Sequence, residues 1–312
     1  MHRMAVAIIN WNTRNLLRDC LRSVFADGPG ARVEVVVVDN GSTDGSADMV
    51  RTEFPDVRLE VLHNNPGYGA ASNVAFQRCT APYVLLLNSD TVLRPGTLRT
   101  LAWELDAHPR SGIIGPRLLN PDGSLQASCF PFPGPIVPLF KRQPFAGLAQ
   151  LLPQLGVHFP VRFGHDADRR VPWVLGAVLA IRREAFDAVG GFDESFHMYF
   201  EEVDLCYRMR EAGWETRFTP AAEVVHLGGA STQQRRAPMR IRLSLSAMEF
   251  HRRHRRGPSL ALALGLERAS IIGRLLRDTA RYGMTTSSAA RDRLAEDLVV
   301  WREVLVRSSR QQ

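Results

Sequence analysis

Lysine is almost absent from this 312-residue chain: Lys141 stands alone among 39 basic residues. The bias toward arginine is read here chiefly as codon usage, with little functional weight. Long apolar runs are missing too. None approaches the roughly eighteen residues of a membrane-crossing helix. Met1 to Asn10 lacks the extended apolar core and small-residue cleavage site of a secretory signal. Cysteine is scarce and scattered: Cys20, Cys79, Cys129 and Cys206 form no Cys-x-x-Cys pair. That spacing argues against a disulfide framework or a thiolate metal cluster, and makes a reducing cytoplasm the expected compartment. What is present is ordinary for a globular chain, 45% apolar and 23% charged, and the length suffices for one large or two modest domains.

The net charge of +7 is unevenly spread. Residues 1–234 carry 22 basic and 25 acidic side chains, whereas residues 235–281 carry 12 and 3. A near-neutral front and a basic stretch behind it imply a tail that meets an anionic surface, nucleic acid or anionic lipid.

The first hundred residues alternate strand and helix patterns. Apolar β-branched runs at 5–10, 33–38, 57–62 and 83–87 read as strands, and the intervening segments read as helices. Thr13 is the candidate cap of the first helix, and Pro95 fits the first turn of a helix reaching about His108. Repeated strand–helix units predict a mostly parallel sheet with right-handed crossovers. Ligands bind such sheets beyond the carboxyl ends of the strands. Seven prolines between 131 and 160 interrupt this rhythm and predict an irregular excursion over 130–170. Order resumes over 171–181, with a short helix at 183–188, a Gly190–Gly191 turn, a helix from about 202 to 212, and two short strands at 216–218 and 223–227. From Ala237 onward the pattern is helical. No internal repeat is apparent.

Polar residues gather at the strand ends. The first strand ends Asn10-Trp11-Asn12-Thr13. The second ends Asp39-Asn40-Gly41-Ser42-Thr43-Asp44-Gly45-Ser46, either a plain capped βα turn or a set of acceptors for a base and a ribose. Asn65-Pro66-Gly67-Tyr68-Gly69-Ala70-Ala71-Ser72-Asn73 is either a glycine-rich turn or a place where backbone approaches a ligand. It is no P-loop, since no Gly-Lys-Ser/Thr follows. Asn88-Ser89-Asp90 closes a buried strand with oxygen-bearing side chains suited to a hard cation on a diphosphate, or simply turns the chain. Gly176-Ala177, Gly190-Gly191-Phe192-Asp193-Glu194 and Glu201-Glu202-Val203-Asp204 follow. The last places three carboxylates at a helix N-terminus, which the macrodipole alone explains. Beside Phe196, Met198, Tyr199 and Phe200, a carboxylate there also fits a general base of raised pKa. His226 ends a strand before two glycines, as a structural histidine or as a ligand.

This ordered set of motifs, over about residues 4–232, resembles an inverting glycosyltransferase of family 2, in its rhamnosyltransferase-like branch. The resemblance implies an α/β, Rossmann-like GT-A fold: a mostly parallel sheet flanked by helices over 1–232, with a basic amphipathic helical tail over 233–312. It implies a nucleotide-sugar donor held by Asn10, Asn12, Asp39, Asn40, Asp44, Asn65, Gly69, Asn73, Asn88, Ser89 and Asp90. Asp39 would meet the base and Asp44 the nucleoside. Mg²⁺ or Mn²⁺ would sit on Asp90 and His226. Glu202 occupies the general-base position with Glu201 as its acidic neighbour, and Trp173, Gly176, Ala177 and Asp204 would border a glycan or lipid-linked acceptor. Two departures stand out. Asn88 replaces the first carboxylate of the usual Asp-x-Asp motif, and Glu202 stands where Asp is common.

The tail joins His251-Arg252-Arg253-His254-Arg255-Arg256 to an apolar stretch studded with arginine. It is too charged to span a bilayer and suited to lie on one. The expected location is the cytoplasmic face of the plasma membrane, with residues 235–281 meeting anionic lipid, or else packing on the catalytic domain. Residues 284–312 form one more amphipathic helix and a possible homo-oligomer contact. Rhamnose on deoxythymidine diphosphate is the expected donor, for cell-wall, O-antigen or exopolysaccharide synthesis. The alternative is a catalytically weak sugar-nucleotide-binding scaffold at the membrane. Nucleic-acid binding is disfavoured, as no reading motif is present and the acidic strand ends repel phosphate. A sugar nucleotidyltransferase is disfavoured because no Gly-x-Gly-x-x-x-Arg loop follows the first strand.

Overall fold

The computed structural model describes residues 4–27, 33–134, 164–228 and 236–310. Most of the proline-rich excursion, residues 135–163, lies outside the described residues. The described chain falls into two compact units. The first comprises 4–132, 164–197 and 201–228, and the second 133–134, 198–200 and 236–310.

The first unit is a sheet of β1 (Met4–Asn10), β2 (Glu34–Asp39), β3 (Arg58–Val61), β4 (Tyr83–Asn88), β5 (Thr91–Leu93), β6 (Ser111–Leu119), β7 (Leu125–Gln126), β9 (Arg169–Arg170), β11 (Val178–Arg182) and β12 (Glu215–His226). A separate two-stranded ribbon pairs β8 (Cys129–Phe130) with β10 (Trp173–Val174). The main order is β3-β2-β1-β4-β11-β6-β12-β5. β3, β2, β1 and β4 run parallel, and β11 is antiparallel to both β4 and β6. Helices α1 (Arg14–Asp27), α2 (Ser46–Glu53), α3 (Tyr68–Arg78), α4 (Thr97–Ala107), α5 (Arg183–Ala188) and α6 (Glu201–Glu211) flank it. β1, β2 and β4 are buried throughout or nearly so, because helices cover both faces and leave no polar alternation. Leu17, Cys20, Leu21 and Val24 of α1 line one core, and Ala71, Ala75 and Phe76 of α3 the other.

Register positions the polar strand ends. Asn10 lies directly opposite Asp39, while Ile9 faces Asn88 on the other side. The carboxyl ends of β2, β1 and β4 therefore finish in one row. Thr91 opens β5 opposite His226 at the end of β12, which brings the residue before Thr91 to the same rim.

Several expectations are corrected. The segments read as strands at 216–218 and 223–227 are one strand, β12, with a register irregularity between Thr219 and Glu223. β5 and β6 were not expected. Thr13 does not cap α1 with its side chain, since its hydroxyl donates to Asn10 Oδ1 at 2.7 Å. The Arg14 N–H is received instead by Asp44 Oδ2, 2.8 Å away and thirty residues on. Pro95 precedes α4, and the N–H groups of Gly96, just before the helix, and of Leu98, in its first turn, go to Asp27. Arginine also matters more than codon usage implies. Arg183 donates to the carbonyls of Phe76, Cys79 and Ala81, closing the end of α3, and Arg182 does so for Leu105 and His108 at the end of α4. A guanidinium fork spans several carbonyls at once, which an ammonium on a flexible stem does poorly.

All four cysteines are free and buried, and burial pushes each thiol up to about 12, which makes them packing groups rather than nucleophiles.

The second unit contains α7 (Arg236–His254), α8 (Gly257–Met284) and α9 (Ser288–Arg310). Its core is Met248, Ile271, Val300, Trp301 and Val304. The Trp301 indole lies against the guanidiniums of Arg240 and Arg274, at 4.6 and 5.0 Å, and donates to buried Asp278 at 2.9 Å. No helix among the described residues is long and apolar enough to cross a membrane.

In the first unit, His165 is buried and its Nε2 accepts from Ser128 and Cys129 N–H at 3.0 and 3.2 Å. His165→Leu leaves two buried donors unpaired, at about 1–3 kcal/mol each. We expect a loss of at least about 2 kcal/mol in urea unfolding.

Candidate active site

The first cluster is a hydrogen-bonded hub. Asn10 and Asp39 are fully buried. Asn10 Nδ2 donates to Asp39 Oδ2 at 2.9 Å and to Ser42 Oγ at 3.1 Å, and the Ser42 N–H donates to Asp39 Oδ1 at 2.8 Å. An ionised carboxylate offers about four lone-pair sites, so Asp39 is oriented by these bonds and retains acceptors for a ligand. Asn12, held at φ 51°, donates its N–H to Ser42 Oγ and receives the Thr43 N–H on Oδ1. The Thr13 hydroxyl also meets Ser89 Oγ at 2.6 Å, tying β1's end to β4's. Asn40 donates to Asn65 Oδ1 at 2.9 Å, and its own Oδ1 is buried without a hydrogen-bond partner.

Asp44 is exposed and accepts from Arg14 N–H, Ser46 N–H and Ser46 Oγ. Burial works against its charge, but the hydrogen bonds from Ser46 and Arg14 outweigh it and hold the carboxyl below its usual range.

Asp90 and His226 form the second cluster. Both are buried, with Asp90 Oδ1 3.4 Å from His226 Nε2. The Leu227 N–H donates to the Asp90 carbonyl at 3.0 Å, fixing the pair across β5 and β12. Gln126 sets the imidazole tautomer. Its Nε2 donates to the His226 carbonyl and to Asn120 Oδ1, which leaves Oε1 facing His226 Nδ1 at 2.6 Å. Nδ1 therefore carries the proton in the neutral ring, and the bare Nε2 faces a carboxylate oxygen. Two acceptors that close require a cation or a proton between them. A histidine whose other nitrogen donates to an oxygen is the usual second-shell arrangement of a metal ligand. Asp90 and His226 offer an oxygen and a nitrogen that fit a divalent ion, with one anionic ligand fewer than Asp-x-Asp supplies.

Glu201 and Glu202, in the first turn of α6, form the third cluster and are both buried. Burial pushes the Glu201 carboxyl well above its usual range, and Glu202 beside it adds to the shift. A Cβ on Gly176 would meet the Glu202 side chain at 3.4 Å, so the turn before β11 lies directly on that carboxylate. Ala177 is buried, and its carbonyl receives the Asn88 N–H at 2.9 Å.

Tyr68 was not among the expected ligands, although it stands inside the glycine-rich motif. Its hydroxyl donates to the Gly176 carbonyl at 2.9 Å. Burial raises its pKa well above normal, and the charges of Glu201, Glu202 and Asp90 raise it further. One hydroxyl thus senses both acidic clusters. The signal available in sequence was an aromatic residue between two glycines, which is no more specific than a turn.

Other expected ligands are placed in protein contacts. Gly69 faces Phe192 and Glu201, so its missing side chain lets α3 approach the segment before α6. Asn73 both donates to and accepts from the Phe192 main chain at 2.9 Å, and also donates to Glu194. Asp204 accepts from Arg208 Nε at 2.7 Å, and Arg208 reaches on to the Val189 and Gly191 carbonyls. Asn73 and Asp204 therefore clamp the Gly190–Glu194 turn. Trp173 donates to the Pro131 carbonyl at 2.9 Å and packs on Phe130.

A parallel sheet with acceptors in register at its carboxyl end and an acidic helix start facing them is the arrangement of nucleotide-sugar transferases of the GT-A type. The family described as glycosyltransferase like family 2 matches residues 2–242, and the chain belongs to it. It is 34% identical over 213 residues to N-acetylglucosaminyl-diphospho-decaprenol L-rhamnosyltransferase of Mycobacterium tuberculosis, covering 64% of this chain and 68% of that one. It is 30% identical over 224 residues to an O-antigen biosynthesis protein of Myxococcus xanthus, covering 70% of this chain and 16% of that one. A mannosyltransferase of Pyrobaculum calidifontis, solved with GDP-Man and Mn²⁺, shares the fold with TM-score 0.56 at 19% identity, covering 97% of this chain and 86% of that one.

Because Glu201 is protonated more readily folded than unfolded, its contribution to stability is fully present below the ordinary glutamate value of about 4.5 and is lost as pH rises through the folded value. The Tm of Glu201→Gln minus that of wild type is expected to grow between about pH 4 and pH 7, by about 2–4 °C per kcal/mol relieved. Thermal scans across that range test it, and a pH-independent difference would contradict the raised value.

Proposed function

We propose that this chain is an inverting, divalent-metal-dependent glycosyltransferase. It moves a sugar from a nucleoside-diphosphate donor to a hydroxyl of a glycan or lipid-linked acceptor in cell-wall or surface-polysaccharide synthesis; the sugar is rhamnose by analogy with its mycobacterial relative, and deoxythymidine diphosphate is the carrier that the sequence resemblance implies. The observation that carries this reading is the presence of two buried acidic sites, Asp90 against His226, and Glu201–Glu202 at the start of α6 beside the Gly176 turn that the Tyr68 hydroxyl holds.

In this reading Asp39, held by Asn10 and Ser42, accepts from the base. Asp44 fixes the turn that carries the nucleoside, and Asn12, Asn40, Asn65, Asn88 and Ser89 complete the donor side. Asp90 and His226 would hold Mg²⁺ or Mn²⁺, which when bound stabilises the charge of the departing nucleoside diphosphate. Glu201 keeps its proton, since a second buried charge beside Glu202 is costly. Glu202 is then the base. It takes the proton of the acceptor hydroxyl as that oxygen bonds to the anomeric carbon, and the bond from that carbon to the diphosphate oxygen breaks on the opposite face. The sugar is inverted in one displacement, with no covalent enzyme intermediate. Trp173 and the Gly176–Ala177 turn border the acceptor. Tyr68 keeps the Gly176 carbonyl in place, while Asn73 and Asp204 act through the turn they clamp.

A panel of nucleoside diphosphates, with and without Mn²⁺, is expected to raise Tm for one nucleotide only with metal, and Asp90→Ala is expected to abolish the shift. No shift with any nucleotide would sink the donor-site reading. Glu202→Gln is expected to keep the shift and lose at least about a hundredfold in kcat. Donor binding in wild type without transfer to any acceptor would favour a binding scaffold instead.

A further inference from the structure

The long helix α8 divides its apolar residues between two faces. Ile271 is buried in the second unit's own core, Leu264 and Leu275 pack against that core, and Ala263 is buried as well. Leu262, Leu266, Ile272, Leu276 and Met284 point the other way and are 56%, 40%, 45%, 65% and 74% exposed. At 3.6 residues per turn these five fall within an arc of about 120° and extend roughly 33 Å along the helix. A Cβ added at Gly265, Gly273 or Gly283 would meet nothing within 4 Å, so this side of the helix is open.

On α8 itself the exposed charges on that side are basic. Arg277 and Arg281 are exposed along its margin, whereas the helix's two carboxylates are turned away from it: Asp278 is buried, where its Oδ1 accepts from Arg277 Nε at 2.9 Å, and Glu267 is half-buried. Where α8 ends, an open groove of about 450 Å³ is lined by Arg281, Arg293, Met284 and Leu294. It therefore pairs guanidiniums with apolar side chains.

We propose that the outer face of α8 lies in the plane of an anionic lipid surface, with its leucines in the headgroup–acyl boundary and Arg277, Arg281 and Arg293 on lipid phosphates. Hydrocarbon suits a continuous apolar stripe, which the phosphate backbone of a nucleic acid does not. A second copy of this chain laid α8 to α8 would set the arginine margins of the two helices together. Amphipathic helices of this composition lie on membranes without crossing them. The inference goes beyond the transferase reading and stands apart from it.

The test uses the full chain with vesicles of phosphatidylcholine alone, or mixed with phosphatidylglycerol, measured by co-sedimentation. Binding is expected to the mixed vesicles, at least tenfold tighter than to phosphatidylcholine alone and weakened by salt. Leu276→Glu, and separately the pair Arg277→Glu and Arg281→Glu, are each expected to lose at least tenfold while keeping wild-type circular dichroism and Tm. No binding at low salt, equal binding to both vesicles, or binding indifferent to Leu276→Glu would overturn the proposal. So would a concentration-dependent dimer in sedimentation velocity that Leu276→Glu abolishes, since that assigns the face to a second copy. The nucleotide-dependent Tm shift requires Asp90 and no residue of α8, so either reading can fail alone.

Discussion

The placement of the Glu201–Glu202 pair depends on a backbone crossing at Gly67. At φ 110°, a side-chain carbon there would lie 2.2 Å from the His197 carbonyl oxygen. Without one, the His197 carbonyl receives the Tyr68 N–H at 2.9 Å, and the start of α3 rests against the segment that leads into α6. Gly69, one step further, sits against Glu201. Asn73 holds Phe192 through its main chain, and Arg208 ties α6 back to the Gly190–Gly191 turn. The acidic pair is thus located by one main-chain hydrogen bond, by the Asn73 and Arg208 side chains that each hold two main-chain groups, and by close packing. A misplacement of about 1 Å in a catalytic group can cost a hundredfold.

That rigidity supports an unfavourable charge arrangement. Burial resists ionisation of Glu201 and of Tyr68, with Glu202 adding to the Glu201 shift and the charges of Glu201, Glu202 and Asp90 adding to that of Tyr68. The N-terminus of α6 offsets part of this. A diphosphate brought to such a place would meet carboxylates, which is the physical reason for reading a cation at Asp90 and His226. The Gln126–His226–Asp90 chain agrees with that reading, because it presents a bare imidazole nitrogen.

The second unit answers to other constraints. Its core is small, and it relies on Trp301 between two guanidiniums as much as on aliphatic packing. Arginine serves both units in a way lysine could not, since its planar fork reaches several carbonyls or stacks on a ring. The residues 198–200 also belong to this unit. The Met198 carbonyl accepts from Ser246 and Phe200 packs on Phe250, while Tyr199 and Phe200 are both left-handed, at φ 67° and 72°. The chain passes from that strained pair directly into Glu201.

The sequence by itself determined the alternating architecture, the strand ends that carry chemistry, and the family. Buried parallel strands read as unbroken apolar runs, and short polar motifs follow them in a fixed order. It also marked Asp39, Asp90, Glu202 and His226 as residues to inspect. Tertiary structure alone decided which protein groups the motif residues meet. Gly69, Asn73 and Asp204 stand in the same motifs as the site residues, yet their partners are Phe192, Glu194, Glu201 and Arg208. Thr13 gave way to Asp44 as the cap of α1 because a carboxylate thirty residues away arrives at the helix start through strand register. The joining of two short strands into β12, and the division of α8 into inner and outer leucines, were equally beyond reach. Periodicity reports that a face is apolar, and only packing shows what that face meets.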